Sequence, residues 1–457
     1  MSEQFTEQGG ASTMDPSRLR RWLTSRLLSA LVKPGRLQRA EDKAERQRVA
    51  SKLPHRLEYF HQVDDAYSHL AAQALRPLLQ RYPVELVPHL VSGPSGANLP
   101  EPDLLPALGR YDAALVAPHY GLEYPAGAGA PAPELCLRAQ CILAAVAPAE
   151  FPEAAVAVGQ ALVAGDGAAL EALGAQYGSV APARAQQAVV AGTARRKALQ
   201  HYSGAMFHYG GQWYWGVDRL YHLERRWQSL GLGQGQGQGD LLFPRPALEA
   251  GSYQANGSLT LEFYASLRSP YTAVIFDEAV ALAEHSGVRL ALRPVLPMVM
   301  RGVPATREKG MYIFADAARE ARALGREFGP VYDPIGEPVR RCYSLYHWAQ
   351  EQGRGVALCS EFLRAAFFQG IDTSRERGLR QVVECAGLSW SEAQAVIDNR
   401  DWEPMLESNR QAMYGFGSWG VPTFRLLDAR GNTVVWAWGQ DRLWLISRVI
   451  HRLLVEA

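Results

Sequence analysis

The segment GLGQGQGQG, at residues 231–239, divides the chain almost in half. Repeated glycine and glutamine give a flexible backbone with no apolar surface to bury, so this segment does not fit inside a folded core. A chain of 457 residues is also too long for one ordinary core. The sequence therefore predicts two folded domains, 51–232 and 257–457, joined by a linker over residues 233–256.

The two halves resemble each other in sequence. The stretch LEYFHQVDDAYSHL, from Leu57, aligns without gaps with LEFYASLRSPYTAV, from Leu261. Farther along, VELVPHLV matches VRLALRPV, and near the two ends WGVDRL matches WGQDRL. Because the matches follow the same order, we interpret them as a tandem duplication with strong divergence. A chance similarity of two α/β domains is the alternative.

Each half has the same predicted order of elements: strand, helix, strand, a long helical stretch, then two strands and a helix. In the second half the helical stretch runs from about Lys309 to Tyr414. The segment VPTFRLLDARGNTVVWAWG predicts a hairpin whose turn is residues 428–432. The fold class is therefore α/β, with two domains that each carry a helical insertion.

The N-terminal region, residues 1–50, is predicted to contain a basic amphipathic helix. Residues 16–56 hold twelve Lys and Arg against three acids, a net charge of +9 that leaves the rest of the chain near −8. Apolar residues recur at helical spacing at Leu19, Trp22, Leu23, Leu27 and Leu31. Such a helix either packs on its own domain with its arginines in water or makes peripheral contact with an anionic membrane through residues 18–33.

Composition excludes several classes of protein. The net charge of +1 gives no reason to expect a nucleic-acid partner. No apolar run reaches the length of a membrane span and no secretory signal is recognisable, so a cytoplasmic protein is expected. The five cysteines form no CxxC pair, and no histidine pair has metal-ligand spacing. We therefore expect neither a disulfide framework nor a metal site.

Ser269-Pro270-Tyr271 follows a predicted strand and is the first candidate site. Serine is a favourable N-cap and proline a favourable first helical residue, so one interpretation is a simple helix start. The other is functional, because a hydroxyl at the positive end of a helix can donate a hydrogen bond to an anion such as a thiolate.

Two further segments could carry chemistry. In GVPTF, Pro422 either begins a strand in the ordinary way or adopts a cis bond that lets the Val421 backbone pair with a peptide-like ligand. In GQDR, before the last helix, Asp441 either caps that helix or holds a ligand ammonium group.

Together these motifs resemble a known family. SPY after the first strand, GVPTF before the third and WGQDRL before the last helix are similar to motifs of 2-hydroxychromene-2-carboxylate isomerases and kappa-class glutathione transferases. Both belong to the DsbA-like branch of the thioredoxin fold. Lys309, Tyr312, Asp316 and Arg319, in KGMYIFADAARE, resemble that family's inserted-helix motif, and the resemblance covers residues 259–455. A solvated helix face is the alternative for these four.

The resemblance implies two thioredoxin-like (DsbA-like) domains that use glutathione as cofactor. Ser269 would be the catalytic residue, donating to the glutathione thiolate. Val421 and Pro422 would pair with its cysteinyl part, and Gln440 and Asp441 would meet its γ-glutamyl end. Substrate contacts would come from Lys309 and Tyr312. Relatives pair as homodimers, so the two domains are expected to form an intramolecular pseudo-dimer.

The chain also departs from the family. Ser266 stands where the family often has aspartate, and MVMRGVPATREKG lacks the asparagine of some isomerases. In the first half Asp65 aligns with Ser269, Ala66 with Pro270, and Ala205 with Pro422. A carboxylate would repel a thiolate, so we expect the first copy to be inactive in glutathione chemistry.

The sequence thus predicts a glutathione-dependent isomerase or transferase that acts on a small electrophilic or aromatic substrate. A non-catalytic binding or scaffold protein with the same fold is the first alternative, favoured by the degenerate first half. A disulfide oxidoreductase is the second, disfavoured because CxxC is missing.

Overall fold

The computed structural model describes residues 15–233, 239–249, 251–252, 254–303 and 305–456. These residues form two compact units. The N-terminal unit lies within Gln38–Pro246, and the C-terminal unit combines Ala247–Ala457 with the segment that ends at Leu37. The pairing of the two units as a pseudo-dimer stays a prediction.

Two helices precede the first strand, α1 (Arg18–Val32) and α2 (Pro34–Ala50). Helix α1 belongs to the C-terminal unit, and the boundary between the units falls within α2. The elements of the N-terminal unit that follow α2 are β1 (Arg56–His61), α3 (Ala66–Arg81), β2 (Glu85–Leu90), α4 (Leu105–Val116), α5 (Pro133–Leu143), α6 (Phe151–Ala164), α7 (Gly167–Tyr177), α8 (Pro182–Ala198), β3 (Met206–Tyr209), β4 (Gln212–Trp215) and α9 (Leu220–Ser229).

The C-terminal unit repeats this order with a longer helical insertion. Its elements are β5 (Thr260–Ala265), α10 (Pro270–Ser286), β6 (Arg289–Pro294), α11 (Arg307–Ala323), α12 (Glu337–Ser344), α13 (Tyr346–Glu351), α14 (Gly355–Phe367), α15 (Glu376–Cys385), α16 (Trp390–Val396), α17 (Trp402–Gly415), β7 (Thr423–Leu427), β8 (Thr433–Trp438) and α18 (Leu443–Glu456).

Each unit contains one four-stranded sheet, and the strand orders are β2-β1-β3-β4 and β6-β5-β7-β8. The first two strands of each unit pair in parallel, and the remaining pairs are antiparallel. This arrangement confirms the predicted fold class, two α/β thioredoxin-like units with helical insertions. The predicted turn joins β7 to β8, where the Asp428 carboxylate accepts hydrogen bonds from the N–H groups of Arg430 and Asn432.

The two sheets also agree in strand register, and each has a glutamate on a central strand. Glu58 on β1 lies opposite His208 on β3, and Glu262 on β5 lies opposite Arg425 on β7. Each carboxylate accepts hydrogen bonds from an arginine, Arg195 at 2.7 Å for Glu58 and Arg293 at 2.8 Å for Glu262. The shared register is what a duplication would produce, and the duplication itself stays a prediction.

The core of each unit contains an aromatic pair between its two central strands. Tyr59 stacks on Phe207 and Phe263 stacks on Phe424, each with ring centroids 4.9 Å apart. All four side chains are fully buried. Such pairs across antiparallel strands add to the free energy of burial and help to hold the register.

Part of the predicted linker is packed. Residues 234–238, 250 and 253 lie outside the described residues, but Phe243 is buried. The backbone N–H groups of Leu242 and Phe243 both donate to the buried Glu224 carboxylate at 2.9 Å. A carboxylate that is removed from water needs such donors, so this segment is fixed by Glu224 rather than by apolar burial alone.

Helix α1 packs on the rest of the C-terminal unit through a side that carries Arg21, Ser25, Leu28 and Val32. Ser25 accepts a hydrogen bond from the Asp333 N–H, and Ser29 exchanges hydrogen bonds with the Val331 backbone. The buried Arg21 guanidinium donates to the carbonyl groups of Asp333 and Ile335. The segment around Asp333 is neither helix nor strand, so its backbone groups need partners from elsewhere, and α1 supplies them.

This orientation differs from the expectation of a helix that packs with all of its arginines in water. Leu19, Trp22, Leu23 and Leu27 are exposed, whereas Arg21 is buried. The inward side is mixed: Arg21 and Ser25 bind the backbone near Asp333, and the buried Leu28 and Val32 lie on the same side of the helix. Among the described residues, no helix is both long and apolar enough to cross a membrane.

We predict that Arg21→Ala lowers the free energy of unfolding of the C-terminal unit by about 1.5–3 kcal/mol, because it removes charged hydrogen bonds to buried carbonyl groups. Urea unfolding of the full chain measures this. Arg20→Ala, on the exposed side of the same helix, is the matched control and should have little effect. Equal effects of the two variants would contradict the described packing.

Candidate active site

Ser269 begins helix α10, directly after the loop that follows β5. Its backbone is extended, and its Oγ accepts a hydrogen bond from the Thr272 N–H at 3.1 Å. Pro270 occupies the first helical position, where no backbone N–H is needed. Ser269 is therefore a helix N-cap, as the structural interpretation predicts. This role also places its hydroxyl at the positive end of the helix dipole.

The Ser269 hydroxyl also meets the segment that precedes β7. It donates to the Val421 carbonyl oxygen at 3.4 Å, although the two residues are 152 positions apart in sequence. The Val421–Pro422 peptide bond is cis, as predicted, and none is recorded between Gly204 and Ala205, which are both described. The Val421 side chain packs against the buried Tyr264 and Met413. The two strongest sequence motifs thus form one site.

Lys309 approaches this site from the inserted helix α11. Its ammonium group lies 5.7 Å from the centroid of the Trp419 ring, two residues before Val421. Burial lowers the pKa of Lys309 to about 8. A cation over an indole face is favourable, more so when it is desolvated. The predicted substrate residue Lys309 is therefore close to the Val421 segment, and Tyr312 lies one helical turn farther along α11, partly buried.

Two residues near the site, Trp419 and Arg301, were not predicted from the sequence. The buried Trp419 has an indole N–H with no hydrogen-bond partner in the described part of the chain, and its ring lies 5.4 Å from that of Trp438. The buried Arg301 donates to the Trp419 carbonyl at 3.4 Å and to the Tyr414 hydroxyl at 3.1 Å. Trp419 directly precedes the GVPTF motif, so its position in the sequence could have identified it. No local sequence pattern distinguishes Arg301.

Close approach of Trp438 explains the glycine of GVPTF. A Cβ added at Gly420 would lie 2.4 Å from the Trp438 Nε1 atom, well inside van der Waals contact. Gly420 therefore lets the indole of β8 lie against the segment that carries Val421. The Thr423 hydroxyl donates to the Gly420 carbonyl at 2.7 Å and further fixes this turn.

Asp316 and Arg319 anchor α11 rather than form a solvated face. The Tyr271 hydroxyl, on α10, donates to Asp316 at 2.9 Å, and Arg319 donates to the same carboxylate at 2.6 Å. Asp316 and Arg319 are both buried. The tyrosine of SPY thus positions the helix that carries Lys309.

Gln440 and Asp441 lie at the start of the last helix. The buried Gln440 amide donates to the Glu320 carboxylate, on α11, at 2.8 Å. Asp441 is partly buried, its carboxylate lies 3.6 Å from the Arg442 guanidinium, and its carbonyl accepts from the Trp444 indole. Contact of either residue with a γ-glutamyl group stays a prediction.

The equivalent position in the N-terminal unit is built differently. Asp65 caps α3 and accepts hydrogen bonds from the N–H and the hydroxyl of Ser68, at 2.9 and 2.7 Å. The Ser68 hydroxyl in turn accepts from the Ala205 N–H at 2.8 Å. Burial raises the pKa of Asp65 to about 6. Ser68 thus binds the N–H group of Ala205, which aligns with Pro422, a residue without a backbone N–H.

We predict that Lys309 lowers the stability of the C-terminal unit at neutral pH. A lysine has a pKa of about 10.4 in the unfolded chain, so the unfolded state binds more protons between about pH 8 and 10.4. Stability should therefore rise with pH across this window in the wild type. Lys309→Met should be more stable than the wild type by up to about 3 kcal/mol at pH 7, with the difference vanishing near pH 10.5.

Thermal or urea unfolding across this pH range makes the measurement, and Lys43→Met, at an exposed lysine, is the control. A constant difference between wild type and Lys309→Met from pH 7 to 10.5 would show that Lys309 is not buried as a cation.

Comparisons with known proteins assign the fold. Residues 260–451 match the family model described as a DSBA-like thioredoxin domain. No curated protein sequence matches the chain. Among similar solved structures, a 2-hydroxychromene-2-carboxylate isomerase is 20% identical, with 43% of this chain and 97% of that chain covered and a TM-score of 0.37.

A probable DsbA oxidoreductase from Streptomyces coelicolor is 20% identical, with 43% and 89% covered and a TM-score of 0.33. The cytosolic disulfide reductase DsbM from Pseudomonas aeruginosa is 18% identical, with 43% and 100% covered and a TM-score of 0.35, and it has also been solved with GSH. The family match spans all four strands of the β6-β5-β7-β8 sheet, so residues 260–451 are similar to a DSBA-like thioredoxin domain in both sequence and strand order.

Proposed function

We propose that the C-terminal unit binds glutathione at Ser269 and acts as an isomerase or transferase of the 2-hydroxychromene-2-carboxylate isomerase type. Its substrate is a small electrophilic or aromatic molecule. The observation that carries this proposal is the meeting of the Ser269 hydroxyl with the Val421 backbone at the N-terminus of α10.

The environment of Ser269 favours an anion. The first N–H groups of α10 and the positive end of its dipole face the same place as the hydroxyl. A hydroxyl that donates to a thiolate makes a charge-assisted hydrogen bond, stronger than the bond it makes to the Val421 carbonyl. Bound glutathione would supply a thiolate nucleophile that adds to the substrate. If the addition is reversed, the result is isomerisation. If the adduct persists, the result is conjugation.

Other residues around Ser269 suit the same ligand and substrate. The buried indole N–H of Trp419 needs an acceptor, which a ligand oxygen could supply. Lys309 adds a positive charge next to that indole, where an electron-rich group of a substrate would be stabilised. Tyr312, on the same helix, would form part of the wall around the substrate.

Serine at position 269 opposes disulfide chemistry. Thiol–disulfide exchange requires a sulfur atom as nucleophile, and position 269 has none. Two cysteines of the same unit, Cys342 and Cys359, are buried. Burial raises the pKa of Cys359 to about 12, so the thiolate form is scarce at neutral pH. An oxygen nucleophile cannot replace it in this reaction.

The first test is the Ser269→Ala variant. It should raise the pKa of the bound glutathione thiol, because a hydrogen bond to a charged group contributes about 1.5–3 kcal/mol. Turnover at neutral pH should therefore fall about tenfold to a hundredfold or somewhat more. Stability should fall by only about 0.5–2 kcal/mol, the usual effect of a lost N-cap. Titration of thiolate absorbance and calorimetry with glutathione separate the two effects.

Asp65→Ala, at the equivalent cap of the N-terminal unit, is the matched control. It removes a cap of the same kind and should leave the thiol pKa unchanged. If Ser269→Ala alters only the melting temperature, Ser269 is a cap and nothing more. If Asp65→Ala weakens glutathione binding as much as Ser269→Ala does, the active site has been assigned to the wrong unit.

A further inference from the structure

We infer that the outward face of α1 is a docking surface for a bilayer that contains anionic lipids. This face is formed by Leu19, Trp22, Leu23 and Leu27, which we call the α1 stripe. The inference is independent of the glutathione proposal, because the stripe shares no residue with the site around Ser269.

The α1 stripe is an unusual concentration of exposed apolar surface. Leu19 is 67% exposed, Trp22 43%, Leu23 47% and Leu27 71%. Of the thirteen large apolar side chains that are exposed among the described residues, these four lie on one face of one 15-residue helix. Contiguous exposed apolar surface of this kind marks an interaction site, whereas scattered apolar residues do not.

The α1 stripe cannot turn inward to bury itself. The opposite side of the helix is fixed by buried hydrogen bonds, with Ser25 joined to Asp333 and Arg21 to the carbonyl groups of Asp333 and Ile335. Rotation of α1 about its axis would break these bonds and leave buried backbone groups without partners. The outward direction of the stripe is therefore set by the fold.

The charges around the α1 stripe select an anionic partner. Residues 16–40 contain seven basic residues and no acidic residue. Six of the seven are exposed: Arg18, Arg20, Arg26, Lys33, Arg36 and Arg39. Within the stripe the Arg26 guanidinium lies over the Trp22 ring, 4.9 Å from its centroid. The rest of the chain has a net negative charge, so this positive charge is local.

A bilayer interface fits both properties of this surface. A helix with leucine and tryptophan on one face and arginines beside them lies in the plane of the interface, with the apolar side chains below the headgroups. Tryptophan is favoured at that depth, and each arginine near an anionic surface adds to the attraction. A second copy of the same face would instead place Arg18, Arg20 and Arg26 of one α1 against the same three arginines of the other, which is unfavourable.

Co-sedimentation of the full chain with vesicles tests the inference. We expect binding to phosphatidylcholine vesicles that contain about one-third phosphatidylglycerol, and little binding to phosphatidylcholine alone. The binding should weaken as NaCl rises from about 0.1 to about 0.5 M, because the arginines act through long-range charge. The double variant Leu23→Glu/Leu27→Glu should bind at least about tenfold more weakly.

The matched control is Leu137→Glu/Val190→Glu, which makes the same charge change at two exposed apolar residues of the N-terminal unit. It should bind the anionic vesicles like the wild type, and circular dichroism should show that both variants fold. Absence of wild-type binding to anionic vesicles, or equal binding by the two double variants, would overturn the inference.

Sedimentation velocity without lipid tests the alternative that a second copy of the chain covers the α1 stripe. A wild-type dimer that becomes monomeric in Leu23→Glu/Leu27→Glu would assign the α1 stripe to a second copy of the chain and overturn the membrane assignment. A wild type and variant of the same sedimentation coefficient would support it.

Discussion

The antiparallel pairing of β5 with β7 determines where chemistry can occur in the C-terminal unit. Tyr264, near the end of β5, lies opposite Thr423, at the start of β7. The chain that leaves β5 toward α10 is therefore beside the chain that enters β7, at the same edge of the sheet. Ser269 and Val421 meet there because of this register, and the N-terminus of α10 meets them because the helix follows directly.

The N-terminal unit obeys the same constraint with different side chains. Phe60 lies opposite Met206, so Asp65 and the segment at Ala205 are again neighbours. There the Ser68 hydroxyl joins the two, accepting from Ala205 and donating to Asp65. The edge at which we propose glutathione binding in the C-terminal unit is therefore bridged by internal hydrogen bonds in the N-terminal unit. Equal folds thus need not have equal function.

The N-terminal helix is connected to the loop that carries Ser269 through Asp333. Asp333 donates its N–H to Ser25 of α1, and its carboxylate accepts two hydrogen bonds from Arg268, at 2.8 and 2.9 Å. Arg268 directly precedes Ser269. Helix α1 therefore binds the segment around Asp333, and that segment supports the loop that carries Ser269. This structural role of α1 is separate from the membrane contact proposed for its outward face.

Much of this could be predicted from local sequence. Alternating and helical periodicities identify the strands and helices, and the turn at Asp428 follows from its residue types. The cap at Ser269 follows from its residue type and from the proline after it. These features depend on neighbours in the sequence, so a single chain reveals them, whereas the meeting of Ser269 with Val421 is implied only by the family resemblance.

Other features depend on tertiary contacts that no local pattern encodes. The inward side of α1 includes Arg21 and Ser25 because the backbone around Asp333 needs hydrogen-bond partners, whereas periodicity alone favours the side of Leu19 and Leu23. The proximity of Lys309 to Trp419 and the support from Arg301 likewise join segments far apart in sequence. The hydrogen bonds of Phe243 to Glu224 show in the same way that a segment predicted as linker can be fixed.

The central claim, that the edge formed by Ser269 and Val421 holds glutathione, is tested most directly by a crystal structure of the full chain with glutathione. The account predicts the glutathione sulfur within hydrogen-bond distance of the Ser269 Oγ and the cysteinyl backbone paired with Val421. Glutathione bound beside Asp65, or no bound glutathione at millimolar concentration in crystals that leave this edge open, would contradict it.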